Sequence, residues 1–181
     1  MLVYHGSDSN FKQLRIAKSL CKRGSTVHNE GYGIYFTTDL EIAKSYGKYV
    51  YILEINDTVL HDFRRKNECT TYVSKLVTML RKETNINLFE YIDVQGLIDR
   101  MYWGGLKIFD ISTEILNLLD STEKYYRATT ETHRKKVASV LRRYTKNTLK
   151  AYLFTYSIKN IGVIKDVDPS IVKIVSRQQS Y

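Results

Sequence analysis

Proline is nearly absent: Asp168-Pro169 holds the only one in 181 residues. Few positions therefore forbid helix or strand, and a proline-rich disordered linker is excluded. Cysteine is scarce too. Cys21 and Cys69 stand far apart without metal-ligand spacing, which excludes a disulfide scaffold and suits reduced intracellular thiols. No apolar run approaches the roughly 18–20 residues that span a bilayer. The first residues carry no basic segment followed by an apolar one, so no signal peptide is expected. A cytoplasmic chain with no membrane partner and no bound metal follows, and the sequon Asn56-Asp57-Thr58 is discounted. Acid is missing in one region. No glutamate follows Glu131, and no acid of either kind interrupts 132–165.

What is present is an ordinary globular composition, 43 % apolar and 26 % charged, at a length that suits one domain. The charge is unbalanced: Lys and Arg number 28 against 19 acids, a net charge of +9. Such a field favours polyanionic partners, nucleic acid, an acidic protein or a membrane surface, and says nothing about fold.

Two periods divide the chain. Residues 2–7 read as a first strand, and 49–55 (Tyr-Val-Tyr-Ile-Leu-Glu-Ile) as the clearest strand of all, β-branched and aromatic without a breaker. Between them, 10–20 is a loop or short helix, and 21–30 a loop made electropositive by Lys22, Arg23 and His28. Residues 56–67 connect. From about 70 to 150 apolar residues fall at helical spacing. Helices are expected over 70–82, over a stretch carrying Leu88, Ile92, Leu97 and Met101 that bends near Gly96, over 112–119 and over 132–150. Strands return at 152–156, 161–165 and 171–175. The expectation is an α+β fold in one domain, 1–181. Strands from both ends share a split sheet, and the helical middle, about 70–150, is an insertion on its edge.

The last helix carries Arg134, Lys135, Lys136, Arg142, Arg143 and Lys146. A basic helix face is often solvated surface, but here no acid interleaves as an intrahelical partner. A phosphate-contacting face is expected.

One stretch organises the rest. Gly31-Tyr32-Gly33-Ile34-Tyr35-Phe36-Thr37-Thr38-Asp39 reads as a glycine turn, a short strand and a cap. Thr38 or Asp39 starts a helix over 40–46 in which Ile42, Ala43 and Tyr46 share a face. Tyr35 and Tyr46 can then face one cleft, suited to a flat cationic ring, although tyrosines in a plain core fit the same pattern. Read with Tyr4-His5-Gly6-Ser7 before it and Ala43-Lys44-Ser45-Tyr46 after it, the stretch resembles the ADP-ribosyltransferase superfamily. The branch is the one with a His-Tyr-Glu signature, which includes the poly(ADP-ribose) polymerases and small bacterial and phage transferases. The resemblance covers about 3–55 well and 152–175 loosely.

That resemblance implies an ADP-ribosyltransferase-like sheet and a cleft that binds NAD+ as co-substrate and releases nicotinamide. It implies that the backbone of Gly6 and the hydroxyl of Ser7 bind the carboxamide, and that His5 bonds a ribose hydroxyl of the adenosine half. Tyr35 and Tyr46 would hold the nicotinamide, with Gly33 beside them. The third signature position falls on Asn160, where the family has glutamate. Asparagine can bond a hydroxyl but cannot offset charge or take a proton, so Asp166 or a residue of the insertion would have to supply a base. Loss of the carboxylate weakens catalysis by roughly a hundredfold or abolishes it. The function expected is mono-ADP-ribosyl transfer to RNA or DNA by a toxin or phage–host effector, with an acidic antitoxin as possible partner. The alternatives are a protein acceptor and a degenerate fold that binds NAD+ or RNA without chemistry.

Overall fold

The computed structural model describes residues 1–16, 33–156 and 159–180. The expected basic loop with Lys22, Arg23 and His28, together with Gly31 and Tyr32, lies outside the described residues. The chain forms two units, Met1–Asp62 with Leu149–Tyr181, and Phe63–Thr148.

Among the described residues, the first unit is a seven-stranded sheet with one short helix. Its strands are β1 (Leu2–Ser7), β2 (Ile34–Thr37), β3 (Tyr49–Ile55), β4 (Leu60–Asp62), β5 (Ala151–Tyr156), β6 (Lys159–Ile164) and β7 (Val172–Gln179). They lie in the order β4-β5-β6-β2-β1-β3-β7, antiparallel except for β4 beside β5. Side-chain alternation sorts each strand onto two faces. Val3, Ile34, Phe36, Tyr51, Leu53, Ile55, Leu153 and Ile164 belong to one buried cluster. Gly162 lies opposite Phe36 in the β2–β6 register, and the phenyl ring fills the space that a Cβ at Gly162 would take. Helix α1 (Leu40–Lys44) starts at Asp39, whose Oδ1 accepts the N–H groups of Glu41 at 2.8 Å and Ile42 at 3.2 Å. The helix is two residues shorter than its periodicity suggests, and Tyr46 lies beyond its end.

Strand β4 sits in the stretch read as plain connection; at three residues it is too short to show a period. Strand β7 runs to Gln179, four residues past the expected end, because its polar tail pairs with β3 as far as Tyr49. Within 10–16 there is no helix.

The second unit is helical: α2 (Lys66–Thr84), α3 (Val94–Tyr102), α4 (Ile111–Asp120), α5 (Glu123–Ala128) and α6 (Glu131–Thr148). Helix α2 buries Tyr72, Val73, Leu76, Val77 and Leu80 at the expected steps and ends on Asn85 in the left-handed conformation, φ 59°. It packs against α3 and α6. Each such buried aliphatic side chain contributes about 1.5–3 kcal/mol. Gly96 does not bend a helix. It lies in the first turn of α3, where its N–H bonds the Asp93 cap at 2.9 Å and a Cβ would strike that carboxylate. The break falls earlier, at residues 91–93, after a single 3-10 turn at Leu88–Glu90. Helix α5 has one buried residue, Tyr125, too little to show as a pattern.

Candidate active site

Strand β1 is tied to β3 along its whole length, from Leu2 opposite Glu54 to Ser7 opposite Tyr49. On its other side it meets β2 through one bridging pair, Tyr4 opposite Thr37. Past that bridge no further β1–β2 pair forms among the described residues, which leaves an opening in the ladder between Gly6-Ser7 on one side and Gly33-Tyr35 on the other.

The direction of the backbone at this opening follows from the ladder. Met1 and Ile55 exchange both main-chain bonds, at 2.7 and 2.8 Å. In an antiparallel pair, bonded and non-bonded residues alternate. Val3, His5 and Ser7 therefore turn their N–H and C=O groups to β3, and Tyr4 and Gly6 turn theirs to β2. At Gly6 the main chain thus faces the opening. From β2, the Tyr35 carbonyl faces the same gap and is held at 2.6 Å by His5 Nδ1. A side chain makes the bond that a continuous sheet would give to backbone.

This bond fixes the histidine. A carbonyl only accepts, so Nδ1 carries the proton and Nε2 presents its lone pair. His5 keeps part of its surface open, yet Tyr51 lies directly across β3 at 6.2 Å between ring centres, and Phe11 lies at 6.0 Å. Burial lowers the imidazole pKa, and the bond to the Tyr35 carbonyl only partly opposes it. The ring is neutral at pH 7.

Alternation separates the remaining residues. Gly6 faces α1: a Cβ there would overlap the Ala43 carbonyl oxygen and lie 2.9 Å from Tyr46 Cβ. The glycine is therefore required by helix packing before any ligand is considered. Gly47 fits just as tightly against Ser7 and Asp8, and the Asp8 carboxylate accepts the Lys48 N–H at 3.3 Å. That turn sets Tyr46, 41 % exposed, beside Gly6. Tyr35, half-buried, shares the strand face of Tyr4 and Thr37 and so lies on the α1 side too. His5 and Ser7 project from the other face. Ser7 Oγ accepts the Ser9 N–H at 3.1 Å, which leaves its hydroxyl proton to donate. Gly33 packs on β6, where a Cβ would overlap Val163 Cγ2.

Asn160 is the second residue of β6 and is exposed, and its carbonyl accepts the Thr37 hydroxyl at 3.0 Å. Thr37 is the residue bridged to Tyr4, so His5, Tyr35 and Asn160 lie on adjacent strands, β1, β2 and β6. Asp166 does not join them. It lies past the far end of β6, with its carboxylate on Lys150 Nζ at 3.0 Å. Thr37, Gly47, Tyr51 and Phe11 are not among the site residues expected from the sequence. Only the Tyr46-Gly47 pair carried a signal, a glycine directly after the motif tyrosine.

The basic helix is more committed than its sequence suggests. Arg134 bonds the Thr129 carbonyl at 2.7 Å and lies 4.5 Å from the centre of the Tyr126 ring. Lys135 pairs with Glu131, just outside the acid-free run, at 2.6 Å, and Arg143 pairs with Glu83 of α2. Lys136, Arg142 and Lys146 are exposed, and among the described residues none forms such a pair. At 100° per residue, Arg142 and Lys146 stand opposite the buried Val137 and Leu141.

Among the described residues no group of three His, Cys, Asp or Glu could hold a metal ion, and no helix is long and apolar enough to cross a membrane. No family model, curated protein or solved structure matches the chain.

Proposed function

We propose that the opening between β1 and β2 binds NAD+ and that the chain is a mono-ADP-ribosyltransferase whose acceptor is nucleic acid. One observation carries this reading: beyond the Tyr4–Thr37 pair the β1–β2 ladder stops, and the Gly6 main chain and the His5 imidazole lie where it would have continued, with Tyr46 and Tyr35 on the same strand face as Gly6. A carboxamide needs one donor and one acceptor side by side, which the N–H and C=O of a single residue supply. Gly6 presents both on the side where the nicotinamide ring would meet Tyr46 and Tyr35. The adenosine ribose then falls to His5, on the other face, where Nε2 accepts from a hydroxyl.

The reaction breaks the bond between nicotinamide nitrogen and ribose C1′. The leaving ring takes the electron pair, and an acceptor nitrogen or oxygen bonds C1′ as it loses a proton. Positive charge grows on the ribose in between. Asn160 can hold a ribose hydroxyl but offsets none of that charge. The exposed cations Lys136, Arg142 and Lys146 suit a phosphate backbone. A basic surface also suits an acidic neutralising protein, the antitoxin of a toxin pair. A second reading, NAD+ or RNA binding without chemistry, has its own support: Asn160 replaces the carboxylate, and Asp166 is held elsewhere.

The test incubates the chain with adenylate-labelled NAD+ and RNA, single-stranded DNA, duplex DNA or cell protein, with Tyr46→Ala as control. Label on RNA or DNA that the control loses is expected. Label on protein alone would move the acceptor. Retention of bound NAD+ without label or free nicotinamide would establish the second reading.

A further inference from the structure

We propose that Tyr51 is a positioning residue that, with Phe11 and the Tyr35 carbonyl, locks His5 with Nε2 as a hydrogen-bond acceptor, and that this lock makes the site select a free ribose hydroxyl over a phosphorylated one.

Tyr51 is fully buried and paired with His5 across the β1–β3 ladder, so the two side chains rise from the same face. Its hydroxyl is used twice: it accepts the Phe11 N–H at 2.7 Å and donates to the Ser9 carbonyl at 2.9 Å. Those bonds draw the chain after β1 back over the strand. The Phe11 ring comes to lie flat on Tyr51, 3.9 Å between centres and 8° between planes. Arg177 of β7 fastens the same segment by bonding the Asn10 side chain. The result is a wall of two parallel rings beside His5, with the Tyr35 carbonyl at its Nδ1. A neutral imidazole held this way cannot turn over or exchange tautomers without breaking the bond to Tyr35.

A fixed acceptor discriminates. A ribose hydroxyl can donate to Nε2. A 2′-phosphate dianion has only acceptor oxygens, so it would face a lone pair unless the ring took a proton, and burial opposes that charge. NAD+ and NADP+ differ by this phosphate alone. The inference rests on the proposed NAD+ site for its ligand, but the lock itself can be read without one.

Two measurements on the full chain test it. Ring 15N shifts of His5 report the tautomer, and titrations with NAD+ and NADP+ give the affinity ratio. In the wild type, Nδ1–H is expected as the single tautomer, with NAD+ favoured at least about tenfold. That is the scale of a buried group left facing a partner it cannot bond. Tyr51→Phe keeps the ring but releases the Ser9–Phe11 segment. It should mix the tautomers and narrow the ratio several-fold, and Phe11→Leu, which removes the wall and keeps the Tyr51 hydroxyl, should do the same. Wild-type shifts in both variants, or an unchanged ratio, would overturn the proposal. If neither nucleotide binds the wild type, the NAD+ site fails, and the 15N shifts still decide whether Tyr51 sets the state of His5.

Discussion

His5 is where the residue scale decides most. Burial holds its pKa below the ordinary histidine value, so the folded chain binds fewer protons than the unfolded one as pH falls through 6.5. Stability tied to this group is therefore present above that pH and lost towards its lower folded pKa. Melting temperature should drop on acidification below pH 6.5, and His5→Gln should flatten that part of the profile; equal slopes in both proteins would contradict it. Asn160 gives a gain-of-function test. It is exposed at a strand start, where a substitution costs little stability. Asn160→Glu should raise nicotinamide release by about tenfold or more, whereas no gain would remove Asn160 from the third signature position. At this scale the motif residues were legible because their types carry chemistry. The reasons for several were not: Gly6 and Gly33 read as turn or ligand glycines, and only the contacts with Ala43 and Val163 show that packing demands them.

Among the elements, α6 separates charge that is available from charge that is spent. Glu131 and Glu83 flank or face the acid-free run rather than interrupt it, so the paired state of Lys135 and Arg143 could not be read from the run alone. Arg142→Gln with Lys146→Gln should lower the salt dependence of nucleic-acid binding by one to two units of slope, at roughly 0.7–0.9 per phosphate contact, with melting unchanged. Arg134→Ala should act the other way, costing about 1 kcal/mol of stability through the lost bond to Thr129. Denaturant midpoints and binding isotherms of the two variants check the contrast. Elements with a long period were legible: α2 and α6 differ from expectation only at their ends. Short ones were not. Strand β4 and helix α5 bury too few residues to leave a pattern, and the helix expected to bend at Gly96 is capped there instead.

At the scale of the molecule, the chain is mixed α+β, with strands from both ends gathered into one sheet and a helical unit, Phe63–Thr148, between β4 and β5. The change of hydrophobic period marked that division. The opening between β1 and β2 had no such mark, because strand pairing depends on residues far apart in sequence and a ladder that stops after one pair leaves no compositional trace. A ligand that binds only the folded sheet raises stability with its concentration, by about 2.7 kcal/mol at a hundred times its dissociation constant. The most direct measurement is therefore a calorimetric titration of NAD+ into the full chain, beside His5→Ala and Tyr46→Ala. Saturable one-site binding is expected in the wild type, and each variant should weaken it at least about tenfold, the loss of one well-made polar or stacking contact. Heat indistinguishable from dilution in the wild type, or binding that both variants keep intact, would contradict a nucleotide site at the β1–β2 opening.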